Sequence, residues 1–126
     1  MIDVNTRIFR TVDDTEAFYF CRGLGNFSGK KANSLEDFLG KIQIVDSESL
    51  EFHVDRGDFE KWIASTIGYT QLDADLQLVK SEKLSGETLR KRLFSLVSMR
   101  LMELTNASKA SEGKRKRKQG VAKNVQ

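Results

Sequence analysis

The sequence predicts an all-α domain: a compact bundle of four to five short helices with a glycine-rich N-terminal loop and a disordered basic C-terminal tail. Three observations predict it. Apolar residues recur at helical spacing from Leu35 to Leu104, capping residues bracket most of these segments, and the chain has no proline to break them. Among 126 residues, a hydrophobic fraction of 39% with eight Phe supplies the apolar surface for one core.

Residues 17–21, Ala-Phe-Tyr-Phe-Cys, form a short apolar run that suits a buried strand or a helix equally well. With no second clear strand to pair with it, the run is expected as a helix or an extended segment packed on the bundle. Residues 22–33, RGLGNFSGKKAN, read as a glycine-rich loop. Leu35, Phe38, Leu39 and Ile42 then share a face, and Ser34 with Asp37 resembles a capping box, which predicts a helix over 34–45. Asp46 can cap a second helix over 47–54, stopped at Arg56-Gly57. Asp58 can cap a third over 59–67, whose Phe59, Trp62, Ile63 and Ile67 make a clear apolar stripe ending at Gly68. Leu72, Leu76 and Val79 predict a fourth over 71–79. The longest runs over 86–105, opened by Ser85 with Glu87 and Thr88, with Leu89, Leu93, Leu96, Val97, Leu101 and Leu104 on its apolar face.

Charge divides the chain where hydrophobicity does. Residues 1–108 hold 14 Lys+Arg against 17 Asp+Glu, a net of −3, whereas residues 109–126 hold 7 against 1, a net of +6. The expected organisation is a helical domain over 1–108 and a tail over 109–126 whose like charges repel and whose few apolar residues cannot offset the entropy of ordering.

Several chemistries are narrowed by residue count. One cysteine, Cys21, makes no intrachain disulfide, and one histidine, His53, supplies no multi-histidine metal site, so neither metal nor cofactor is expected. Asp3, Arg7 and Arg10 interrupt the first ten residues, and no apolar run has the length of a membrane span, so the expected setting is cytoplasmic, without membrane contact. The stretch Gly23 to Lys31 fails as a phosphate-binding loop. With Gly29-Lys30 in place, position 24 is Leu instead of Gly and position 31 is Lys instead of Ser or Thr. What remains there is a structural turn, with a weaker anion site at Lys30 and Lys31 as the alternative.

His53, Arg56 and Asp58 form the densest polar cluster, in the run His53-Val54-Asp55-Arg56-Gly57-Asp58. A histidine beside carboxylates can do acid–base work, but no nucleophile accompanies it, and a helix cap with an Arg56 ion pair explains the same residues. No catalytic residue is expected. The tail has the most direct functional reading. Lys114, Arg115, Lys116, Arg117 and Lys118, with Lys109 and Lys123 contributing less, are suited to neutralising nucleic-acid phosphates without reading sequence. Arg90, Lys91 and Arg92 can extend this basic surface onto the last helix.

The order Phe18-x-Phe20, Gly25-x-x-Ser28-Gly29-x-x-Ala32-x-Ser34-Leu35-x-x-Phe38, then Ser49-Leu50-x-Phe52-His53-x-x-Arg56-Gly57-Asp58-Phe59-x-x-Trp62-Ile63-x-x-x-Ile67-Gly68, then Gly86-x-x-Leu89-Arg90 resembles a family of short archaeal and bacterial domains of unknown function. The resemblance covers residues 17–104, and Ser49 to Gly68 is its most specific block. Where the family pattern tends to continue Gly-Asp, this chain has Gly68-Tyr69. Members stand alone or beside glycosyltransferase-type sequences, and the family has no established activity, cofactor or catalytic residue, so the resemblance carries none over to this chain. The expectation is therefore a small non-enzymatic binding protein that contacts nucleic acid through its tail, while the body supplies a second contact or a homodimer surface. The rival is a protein-interaction or regulatory module partnering a cytosolic, carbohydrate-active enzyme.

Overall fold

The computed structural model describes the backbone of residues 4–116 and the side chains of residues 6–106. Helix α1 (Val4–Ile8) leads into strands β1 (Phe18–Cys21) and β2 (Phe27–Ala32), then α2 (Leu35–Ile44), α3 (Ser47–Arg56), α4 (Asp58–Trp62), α5 (Thr70–Ser81) and α6 (Gly86–Lys116). One π-helical turn, Ile63–Ile67, prolongs α4, with the N–H groups of Gly68 and Tyr69 both donating to the Ile63 carbonyl.

The all-α expectation is corrected by the hairpin. β1 and β2 pair antiparallel, with Phe18 opposite Ala32 and Phe20 opposite Lys30, and the register shifts between Phe20 and Cys21. A strand reading FSGKKA has neither branched residues nor a clear alternation, so on sequence it passes for loop. It is a strand because β1 turns Phe18 and Phe20 into the core, and Ala32 is buried with them.

The helices match the spacing more closely. Ser34 Oγ accepts the Asp37 N–H at 3.0 Å, and the Asp37 carboxylate accepts the Asn33 N–H at 3.0 Å, a variant of the expected capping box. Gly57 (φ 73°) and Gly68 (φ 85°) close α3 and the π-helical turn in the left-handed region, where a side chain is strained. Asp46 precedes α3, but its carboxylate makes no cap and pairs with Arg22 instead. The last helix is drawn to Lys116, past the boundary expected after residue 108, and residues 117–126 of the expected tail lie outside the described residues.

Two arginines tie distant segments together by satisfying helix C-terminal carbonyls. The Arg10 guanidinium donates to Thr66 O and, at 3.5 Å, to Ile67 O, which fastens the N-terminal segment to the end of the π-helical turn. Arg90 donates to Ile42 O at 2.8 Å and Val45 O at 2.7 Å, which fastens α6 to the end of α2. Leu89, Leu93, Val97 and Leu101 bury the inner face of α6, and the aromatic centre of the core is Phe18, Phe20, Phe38, Phe59 and Trp62.

Candidate functional site

His53 and Ser49 lie one turn apart on α3, and both reach the same residue of β1. Cys21 donates its N–H to His53 Nε2 at 2.9 Å, and its carbonyl accepts from Ser49 Oγ at 2.8 Å. Because Nε2 is the acceptor, the ring proton sits on Nδ1 and is donated to Asp58 Oδ2 at 2.8 Å. The same carboxylate oxygen accepts from Arg56 Nε at 3.0 Å. Asp58 is thus not the helix cap the sequence suggests: it is the first residue of α4, and its carboxylate orients His53. Of Asp55, Asp58 and Glu60, the three carboxylates the sequence offers Arg56, the pair forms with Asp58.

His53 is 4% exposed and sits edge-on against Phe18, Phe20 and Phe52. Burial pushes the imidazole below its ordinary 6.5, outweighing the Asp58 bond that raises it. Burial acts upward on Asp58, but the bonds from His53 and Arg56 outweigh it, so the carboxyl titrates below 3.8. A proton-transferring histidine needs a ring nitrogen open to substrate, and here both have protein partners. The chemistry this triad supports is the anchoring of a strand.

A pH dependence follows with a definite sign. Unfolded chains take up the His53 proton near 6.5 while the fold resists it, so stability is full above about pH 6.5 and falls as pH drops toward the lowered native value. Urea midpoints measured from about pH 7.5 to about pH 5 are expected to fall in that window, and His53→Gln removes the dependence there.

The candidate phosphate-contacting residues divide by position. Lys109, Lys114, Arg115 and Lys116 belong to the backbone of α6, with side chains beyond those described, and Arg117, Lys118 and Lys123 lie outside the described residues. The three cations expected to extend the basic surface along α6 are differently placed. Arg90 is half-buried on α2 carbonyls and Glu87, and Arg92 makes a forked pair with Glu82. Lys91 is exposed.

The outer face of the hairpin is not marked by any sequence motif. Tyr19 is 40% exposed and Phe27 is 50% exposed, with ring centroids 5.6 Å apart. Lys31 lies opposite Tyr19 in the register, and Leu24 protrudes at the turn. Residues 17–33 contain Arg22, Lys30 and Lys31 and not one Asp or Glu. That absence of carboxylates was the available signal.

Elsewhere a cleft of about 550 Å³ opens between α4 and α5, lined by Arg56, Glu60, Lys61, Asp73, Gln77 and Lys80. Its cations and carboxylates intermingle, and burial holds Glu60 above its ordinary 4.5. Among the described residues no three His, Cys, Asp or Glu side chains come together to hold a metal ion, and no helix is long and apolar enough to cross a membrane. Compared with protein-family models, curated proteins and solved structures, the chain matches none.

Proposed function

We propose that this is a small, non-enzymatic binding protein whose basic C-terminal arm contacts nucleic-acid phosphates. The observation that carries the reading is the segregation of charge. The arm bears a net +6 over residues 109–126 against −3 for the preceding 108 residues. Five cations in succession, Lys114 to Lys118, suit a polyphosphate backbone, where neutralisation releases counterions and yields affinity without sequence readout. Helix α6 continues to Lys116, fifteen residues past Leu101, a buried side chain, which starts the arm on a helical stem.

The test is fluorescence anisotropy of labelled duplex DNA titrated with the full chain and with a variant carrying Gln at positions 114–118. Neutralising about five phosphates gives a slope of log affinity against log salt of about −4 to −5 for the natural chain, and the Gln variant is expected to lose most of it. Salt-insensitive binding contradicts this mechanism.

A second reading, a module that docks on a cytosolic enzyme, is favoured by a different surface. Leu78 on α5 and Met99 and Met102 on α6 are each more than half exposed. The ion pairs Arg92–Glu82 and Arg100–Asp75 tie α6 to the C-cap and body of α5, and exposed apolar residues characterise protein-contact faces. Under it, partner binding survives the Gln substitutions in the arm.

A further inference from the structure

We propose that the outer face of the β1–β2 hairpin is a stacking platform for the bases of single-stranded nucleic acid. The proposal rests on the nucleic-acid reading above and deepens it by naming the strand state of the ligand and a second contact on the body.

Aromatic side chains in a folded chain ordinarily turn inward, as Phe18, Phe20, Phe38 and Phe59 do here. Tyr19 and Phe27 do the reverse. They stand side by side on the outer face, and the Tyr19 hydroxyl donates to Asp14 O at 2.6 Å, which holds its ring in place. A fixed, exposed aromatic pair costs little ordering entropy when a flat ring stacks on it, and a base of any identity has such a ring.

Charge selects the occupant. Residues 17–33 carry three cations and no carboxylate, whereas the remainder of residues 1–108 carries 11 Lys+Arg against 17 Asp+Glu. The hairpin is therefore the basic segment of an acidic body, and Arg22 and Lys31 interleave in sequence with Tyr19 and Phe27, whereas Lys30, opposite the buried Phe20, stands on the other face. Arg22 pairs with Asp46, and Lys31 with Asp14 at 3.2 Å, but both carboxylates are more than half exposed. Surface pairs of this kind contribute little, so a phosphate displaces them at small cost. Bases in a duplex are stacked on one another and unavailable to such a platform, which restricts the ligand to a single strand.

The arm carries no aromatic residue, so the two contacts have separable signatures: the arm sets the salt slope, and the hairpin sets the preference for single strands. The experiment titrates full-length protein into labelled oligodeoxythymidylate and into duplex of the same length, about 20 nucleotides, enough to exceed one stacking site. It compares the natural chain with Tyr19→Phe, Tyr19→Leu, Phe27→Leu and the arm Gln variant. Trp62 fluorescence and thermal melts confirm that each is folded.

The expected result is a loss of about tenfold in single-strand affinity for each Leu variant, a smaller loss for Tyr19→Phe, which keeps the ring but frees it from Asp14 O, and unchanged duplex binding. If the Leu variants bind single strands like the natural chain, the hairpin inference is overturned while the arm reading stands. If the arm variant keeps full affinity and only the Leu variants lose it, the arm reading fails and the platform stands. If nothing binds at low salt, both are overturned, and the aromatic pair becomes a protein-contact face.

Discussion

Replacing His53 with Ala is expected to destabilise the fold by about 3 to 5 kcal/mol, seen as a large fall in the urea midpoint followed by Trp62 fluorescence. Two costs combine. Truncation leaves a cavity where the ring met Phe18, Phe20 and Phe52, and it strips Cys21 N–H and Asp58 of their shared partner. Asp58→Asn retains the shape and replaces only the charged acceptor, so its cost is smaller, about 1 to 2 kcal/mol. A histidine held for chemistry behaves differently: His53→Ala then abolishes a turnover and leaves the midpoint near its natural value. The measured pair of midpoints separates these outcomes, and a stable His53→Ala protein contradicts the anchoring role.

Phe38→Ala is expected to cost about 3 to 5 kcal/mol by the same measurement. Phe38 is fully buried, and its ring lies 5.1 Å from Phe59, 5.6 Å from Trp62, 6.0 Å from Phe20 and 6.1 Å from Phe18. The strand, α2 and α4 all supply rings to this cluster, so the hole cannot close by moving one element. Phe38→Leu keeps much of the volume and costs less. Leu78→Ala, on the exposed face of α5, serves as the control and should change stability by no more than about 0.5 kcal/mol.

Most of the helical part was legible because its signals are local. Ser34 with Asp37, the glycines at 57 and 68, and the stripes Phe59-Trp62-Ile63-Ile67 and Leu89-Leu93-Val97-Leu101 each act within a few turns of chain. The π-helical turn was not, since periodicities of 3.6 and about 4.4 cannot be told apart over five residues. The hairpin was illegible for a different reason. Phe27 to Ala32 has a weak strand pattern, and what holds β1 beside it are Ser49 and His53, 28 and 32 residues from Cys21. Of the candidate site, the cluster His53, Arg56 and Asp58 was found by charge density, whereas its purpose needed geometry. The charge of Arg90 and Arg92 was read correctly, but their partners Ile42 O, Val45 O and Glu82 lie on other elements or loops. The Tyr19–Phe27 pair was hidden because exposure is a property of the folded chain.

A hairpin of two strands is marginal by itself in water, and each of its strands has an edge with no neighbouring strand. On β1 part of that edge is closed from outside the sheet: Cys21 gives its N–H to one α3 side chain and its carbonyl to another. Helix α3 stands in for one rung of a third strand. The hairpin is thereby bound in a single cooperative unit with α3, because losing either one removes the partners of the other. It also closes a loop of about thirty residues before it gains stability, which places its formation after the local helices in folding. The sealed rung keeps this part of β1 from accepting the strand of a second chain, which shortens the open edge that invites aggregation.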